Sequence, residues 1–525
     1  MQLDANVDLG LGSDVLDVLV VGGGVAGAYT AWRLKTGSVV SPIGGLPVDT
    51  DERRIALIEA SGRIGGRLES LHPPGAPELT AEFGGMGFTS NNTIVTALVD
   101  DVFQIPAEPF PRGGDANLFY LRGERFTKGE LKAGTASLPY KIDPTSVEQG
   151  PIMLVVKAVT KVFGQHCMTW TAKQWRQKLE SFTWNGRNLR DVGFWNFLLM
   201  NMTAEEFAFA HDATGHFFEV SNWNCAEALP WFLGDGAAAY RTITDGYDLM
   251  PQYCAQAFMN AGGLLQLGIS VTGVRQDPGD DALTVTLDQE VEIKAKRVVL
   301  ALPRRALDII TPNTPALQAP GVAPALESVT GHKVMKIFLA FDEPWWEQLG
   351  ITDGSTSSDL PLGQVWYFSP PKGSTNTKAL LMASYNDTLA TTYWEGLEGD
   401  STFVNPSNSG PFWQGQSPSE LMVHEVVRQL TLVHGINIPQ PYAAAYKDWS
   451  PDPYGGAFYT WNVGVDAATV ETVMQQPDPS VAVHVVGSAY SSDQGWAEGA
   501  LQTSERLLEE RIGLDRPSWI TAQVD

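Results

Sequence analysis

The stretch Val18-Leu19-Val20-Val21-Gly22-Gly23-Gly24-Val25-Ala26-Gly27 constrains this chain more than any other. The apolar run reads as a buried strand, and Ala28 to Leu34 continue with a helical pattern. Between them stand the three glycines of G-x-G-x-x-G, in the strand, turn and helix context that gives the motif its meaning. Gly22 permits the tight turn, Gly24 admits a pyrophosphate against the backbone, and Gly27 lets helix and strand pack closely. The helix N-terminus then presents N–H groups to the phosphates. A second apolar run, Ile55-Ala56-Leu57-Ile58, ends at Glu59, whose carboxylate can accept the hydroxyl protons of an adenosine ribose. The interval from Gly22 to Glu59 exceeds the usual ~20 residues. Thr36 to Arg54, rich in Gly, Pro and Ser, reads as a surface insertion that takes up the excess.

Composition narrows the rest. A chain of 525 residues has room for two or three domains. A net charge of −25 argues against nucleic acid or an anionic membrane as partner. No run of 18 apolar residues occurs, so no membrane-spanning helix is expected. Asp4, Asp8 and Asp14 interrupt the start, which lacks an apolar signal core; the expectation is a cytoplasmic chain, or one secreted without a recognisable signal peptide. Cys167, Cys225 and Cys254 are scattered and odd in number, so neither a disulfide framework nor a metal site is expected.

The segment Glu59-Ala60-Ser61-Gly62-Arg63-Ile64-Gly65-Gly66-Arg67 resembles the flavin-containing amine oxidase family, which includes monoamine, polyamine and L-amino-acid oxidases. The resemblance implies FAD, with Arg67 beside its pyrophosphate. It runs from Asp17 to about Leu508 and continues in Ala81-Glu82-Phe83-Gly84-Gly85-Met86-Gly87-Phe88, where Gly85 and Met86 would follow the flavin ring. L-amino-acid oxidases usually carry an arginine after that methionine to hold the substrate carboxylate; this chain has Gly87. Val274 would meet the adenine edge with its backbone. In Trp449 to Phe458, Ala457 stands where monoamine oxidases carry the flavin-linked cysteine, so FAD should be noncovalent. Phe458 and Trp496 match the two walls of an aromatic cage. Gly487, Ser488 and Ala497 fall in the closing strand, turn and helix, whose helix N-terminus would face the flavin C2 carbonyl; the family usually has Gly-Glu at Gly487-Ser488.

Two further catalytic candidates come from strands. In Lys333 to Phe341, alternation puts Ile337, Leu339 and Phe341 on one face and Lys336, Phe338 and Ala340 on the other. A lysine among core-like neighbours is costly unless paired or hydrated, and the resemblance gives Lys336 a water at the flavin N5. Tyr367, in the strand Gln364 to Phe368, stands about where L-amino-acid oxidases carry a tyrosine, and that resemblance implies that its hydroxyl helps hold a substrate carboxylate.

The expected fold is α/β: a Rossmann-like FAD domain of glutathione-reductase type (14–105, 236–318 and 480–525), a mixed-sheet substrate domain (106–150 and 319–479) and a helical insert (151–235). One strand is expected over Leu264 to Val274, paired with Ala282 to Leu287, and an exposed polar loop over Glu398 to Ser419. Asn222-Trp223-Asn224 and the insert resemble bacterial and fungal L-amino-acid oxidases, which implies oxidative deamination of L-amino acids by FAD and molecular oxygen. An amine or polyamine oxidase, or a non-oxidase flavoprotein such as an amino-acid monooxygenase, is the alternative. The substrate is a small amine or amino acid, and a homodimer is compatible with the family.

Overall fold

The computed structural model describes residues 15–39, 45–217, 219, 221–233, 238–399, 402–403, 413, 417–521. Its organising layer is a parallel five-stranded sheet in the spatial order Leu264–Leu267, Ile55–Glu59, Val18–Val21, Val298–Leu300, Val483–Val485. These strands are short and almost wholly apolar because both faces are covered, as parallel sheets require. Helices Val25–Thr36, Leu249–Asn260 and Ala497–Leu507 cover one face around Val18, Val20, Ile55 and Leu57. An antiparallel sheet of Val271–Gln276, Leu283–Leu287 and Glu292–Ala295 covers the other, around Leu19, Ala56 and Val298. The run expected as one strand from Leu264 to Val274 is therefore two. A glycine with positive φ, Gly268, separates them, and they serve different sheets.

A seven-stranded mixed sheet forms the second layer, in the order Ala443–Asp448, Val334–Phe341, Ala379–Asp387, Gln364–Phe368, Asp353–Ser358, Leu118–Leu121, Glu124–Thr127. Alternation in Val334–Phe341 sorts as read: Ile337, Leu339 and Phe341 enter one apolar cluster, Phe338 and Ala340 the opposite one. This strand pairs on both sides, with Ala379–Asp387 and Ala443–Asp448. Lys336 is thus no edge residue, and it is 1 % exposed. The insert supplies helices Ile152–Phe163, Ala172–Leu179, Phe194–Asn201, Ala204–Thr214 and Cys225–Leu233, with a core around Trp175, Phe194, Phe197 and Trp223. All three cysteines are buried and unpaired. Most of the Glu398–Ser419 loop lies outside the described residues. Its described members Phe403 and Trp413 are buried, and Trp413 packs on Phe83 and Phe338, so at those two positions an exposed loop is incorrect. Among the described residues no helix is long and apolar enough to cross a membrane, and no group of His, Cys, Asp or Glu could hold a metal ion.

Candidate active site

The two layers enclose a cavity of about 830 Å³ that runs from the glycine turn to the helical insert. At its nucleotide end, Gly22 and Gly24 line the wall and Gly27 lies just behind them. An alanine Cβ at Gly27 would sit 1.7 Å from the Gly22 carbonyl oxygen, so the close packing of helix on strand requires glycine. The helix Val25–Thr36 starts with no side-chain cap and no acid in its first turn, leaving its N-terminus open toward an anion. Glu59 is held by the backbone: Gly23 N–H donates to Oε2 at 2.6 Å and Ser61 N–H to Oε1 at 2.8 Å. Each oxygen keeps a lone pair for a ribose hydroxyl.

Val274 does not reach this cavity. It is buried in the antiparallel sheet, and its N–H donates to Thr314 Oγ1 at 3.2 Å. Val271 and Ser270 line the wall instead, beyond a register irregularity between Val271 and Gly273.

Farther along stands Arg67. Its Nη1 donates to the Ala457 carbonyl at 2.9 Å and its Nη2 to Ser488 Oγ at 3.0 Å, and the guanidinium lies 5.5 Å from the Tyr459 ring centroid. Burial lowers its pKa, and only tyrosines oppose that shift; among the described residues no carboxylate pairs with it. A half-buried cation with no counter-anion among the described residues, beside an open helix N-terminus, fits a pyrophosphate. Gly85, Met86, Gly487, Ser488 and Ala497 line the same wall. A second open N-terminus faces it, since the helix Ala497–Leu507 has no side-chain cap at Trp496. The acid in that first turn, Glu498, points away and caps another helix through Ile94 N–H and Val95 N–H at 2.9 Å each. These residues fit FAD.

The far end of the cavity is aromatic. Phe458 stacks on His332 with centroids 5.1 Å apart, and Gly495 brings Trp496 to the same wall. Trp496 meets Tyr240 edge-on at 6.0 Å, and Phe110 packs on both Tyr240 at 4.4 Å and Trp366 at 5.2 Å. Tyr385, His216, Glu219, Trp223 and Trp231 complete this end. Burial pushes the His216 imidazole down to about 3, so it is neutral, and pushes the Tyr240 phenol up to about 12.

Lys336 lies behind the glycine-rich turn. Its Nζ donates to the carbonyls of Glu82 at 3.0 Å and Gly84 at 2.5 Å, and sits 4.5 Å from the Tyr385 ring centroid. Burial lowers its pKa while the Glu82 carboxylate opposes the shift; burial in turn raises that of Glu82.

The expectation for Tyr367 is incorrect. Its hydroxyl is buried on the opposite side of the sheet, 2.8 Å from Thr356 Oγ1 and 2.7 Å from His434 Nε2, within the cluster of Ile337 and Leu339. The neighbouring Trp366 faces the cavity. Gly87 does line it, but an ideal Cβ there would stand 2.4 Å from the Arg241 carbonyl oxygen. No arginine can occupy that position, and Arg67 is the sole Lys or Arg on the cavity wall among the described residues.

The family model for flavin containing amine oxidoreductases matches residues 30–507. The chain belongs to that family. It is an FAD-dependent oxidoreductase. Its sequence is 26% identical to aplysianin-A of Aplysia kurodai, over 95% of this chain and 90% of that protein. It is 21% identical to an L-amino-acid oxidase of Naja atra, over 94% and 87% respectively. A solved putrescine oxidase bound to putrescine superposes with a TM-score of 0.68 at 17% identity, covering 95% of this chain and 99% of the other. At that identity the likeness speaks for the fold alone.

The family membership makes one expectation direct. Ala457 offers no thiol for a thioether to the flavin, so acid precipitation of the yellow protein should leave all flavin absorbance in the supernatant. Absorbance retained by the pellet would contradict noncovalent binding. Sequence reading missed Tyr240, Tyr385, His216 and Glu219, which belong to no motif and meet only through tertiary packing.

Proposed function

We propose that this enzyme oxidises the α-amine of L-amino acids, consuming oxygen and releasing a 2-oxo acid, ammonia and hydrogen peroxide. The observation that carries the reading is the far wall of the cavity. There, two phenols, Tyr240 and Tyr385, stand beside the aromatic walls Phe458 and Trp496, and no hydrogen-bond acceptor is assigned to either hydroxyl among the described residues. They supply the donors that a carboxylate needs where Gly87 cannot. The name of the Naja atra relative supports the same substrate class.

The proposed roles follow from placement. Gly22, Gly24, Glu59, Val271 and Arg67 hold the nucleotide, and Gly85, Met86, Gly487, Ser488 and Ala497 hold the ring system. Bound FAD supplies the two-electron acceptor and the means of reducing oxygen to peroxide. Phe458 and Trp496 clamp the amine-bearing carbon and exclude water, which disfavours the charged ammonium and keeps the amine neutral. Lys336 spends two of its three donors on Glu82 and Gly84, fixing the turn that carries Gly85 and Met86, and its ammonium rests against the Tyr385 ring.

A second reading, an oxidase of plain amines, is favoured by the absence of an arginine clamp at Gly87. Peroxide release from L-norleucine and from pentylamine, the same molecule without its carboxylate, separates the two. Tyr385→Phe should lower kcat/KM for L-norleucine about 10- to 150-fold, the value of one hydrogen bond to a charged group, and change pentylamine less than about threefold. Tyr367→Phe should alter neither, and should cost about 1 kcal/mol of stability through its lost bond to Thr356 or His434. A preference for pentylamine in the unmutated enzyme would transfer the conclusion to the amine-oxidase reading.

A further inference from the structure

Glu219 is an acid on the substrate end of the cavity, and among the described residues no lysine or arginine lines that end with it. It lines the same wall as His216, Trp223 and Trp231. Among the described residues no side chain is paired with its carboxylate. The Trp223 indole N–H donates to its backbone carbonyl at 3.4 Å, tying the residue to the insert. The charge acting on it is a second carboxylate, Asp387, which closes the strand Ala379–Asp387 and accepts the Phe217 N–H at 3.0 Å. Burial first, then Asp387, raises the Glu219 carboxyl to about 8. His216 is neutral here, and Arg67 is held elsewhere on the cavity wall by the Ala457 carbonyl and Ser488 Oγ.

An acid in such surroundings is costly to hold ionised unless something positive arrives. Two indoles line the cavity with it, Trp223 and Trp231, with ring centroids 6.0 Å apart and planes at 83°. Aromatic faces and a carboxylate lining one end of a cavity form a receptor for an ammonium or guanidinium group. An apolar side-chain end gains nothing from Glu219, and an acidic one would be repelled by both Glu219 and Asp387.

From this geometry we infer that Glu219 is a specificity residue that receives a second, cationic group at the far end of the substrate. The preferred substrates are then L-amino acids with a basic side chain, or diamines if the plain-amine reading holds. This rests on the amine-oxidising site described above and deepens it. Glu219 touches no reacting atom; it selects by charge.

The test uses the holoenzyme at pH 8 and two matched pairs: L-lysine with L-norleucine, and 1,5-diaminopentane with pentylamine. Within each pair the molecules differ only by the distal amine. The unmutated enzyme should favour the doubly aminated member of whichever pair it oxidises by at least tenfold in kcat/KM. Glu219→Gln should lower kcat/KM for that member about 10- to 150-fold and leave its partner within about threefold. Glu219→Asp, keeping the charge on a shorter arm, should restore part of the preference. Equal losses on both members would overturn the inference and make Glu219 structural. No preference in the unmutated enzyme would overturn it as well. If none of the four compounds releases peroxide, the proposed function fails, and the subsite is judged by perturbation of the flavin absorbance. L-lysine or 1,5-diaminopentane should then perturb the unmutated protein at least tenfold more tightly than Glu219→Gln, and equal affinities would overturn the assignment.

Discussion

Gly27→Ala should yield a protein that carries no flavin and melts far below the unmutated enzyme. The added Cβ would stand 1.7 Å from the Gly22 carbonyl oxygen and 3.2 Å from the Ala301 Cβ. Backbone cannot yield as a side chain would, so the helix Val25–Thr36 must back away from the sheet by more than an ångström. That helix also packs with Leu249–Asn260 and Ala497–Leu507 around Tyr29, Leu34 and Met250. Its displacement therefore opens the apolar core and the phosphate cradle together. Overpacking costs about 1–3 kcal/mol and occasionally more; here about 3 kcal/mol is expected before the loss of FAD is counted. Calorimetry with and without added FAD would separate the two parts. Gly62→Ala is the control, because its Cβ meets nothing within 4 Å and the residue is exposed. A yellow Gly27→Ala protein with unchanged melting would refute this account of the turn.

Arg67→Met should behave differently, losing the cofactor and keeping the fold. Without FAD, Arg67 is a half-buried guanidinium satisfied by a carbonyl and a hydroxyl, Ala457 O and Ser488 Oγ, with no acid among the described residues to balance it. Removing a charge of that kind relieves the apoprotein of a desolvated cation, and methionine fills much of the same volume. The holoprotein instead loses one partner of a charge pair with the pyrophosphate. Such truncations cost about 2–5 kcal/mol, roughly a 30- to 5,000-fold weakening of FAD binding. Fluorescence titration of apoprotein with FAD should show this, while melting of the apoprotein stays equal or rises. A fall in apoprotein stability matching the loss of affinity would give Arg67 a structural role and take it from the pyrophosphate.

These two residues were legible in the sequence because their reasons are local. A glycine turn between strand and helix, and an arginine after paired glycines, carry their meaning within one short segment. The strand Val334–Phe341 was legible too, since alternation fixes which face Lys336 shares with Phe338 and Ala340. Tyr367 failed by one residue, and in a strand one residue is the other side of the sheet. The pairing of Gln364–Phe368 with Ala379–Asp387 also shifts register between Gln364 and Trp366, which no pattern in the sequence announces. Val274 failed for a related reason: the chain leaves one sheet at Gly268, enters another, and shifts register before Gly273. Glu219, Tyr240 and Tyr385 come from the insert, a return strand and the second sheet. Only folding brings them to one wall, so their joint chemistry had no sequence signature.

The closed backbone at Gly87 sets a rule for anyone who would re-target this enzyme. The arginine that L-amino-acid oxidases usually carry there is not one codon away. The Arg241 carbonyl occupies the space from which such a side chain would have to grow. The adjoining strands are joined as well, Phe88 pairing with Arg241 and Thr89 with Tyr240. Grafting the missing cation would mean respacing two strands, one of which positions Tyr240. Trp366 and Tyr385, whose side chains already open into the cavity from the opposite sheet, are the positions from which a new anion receptor could be built without moving the main chain.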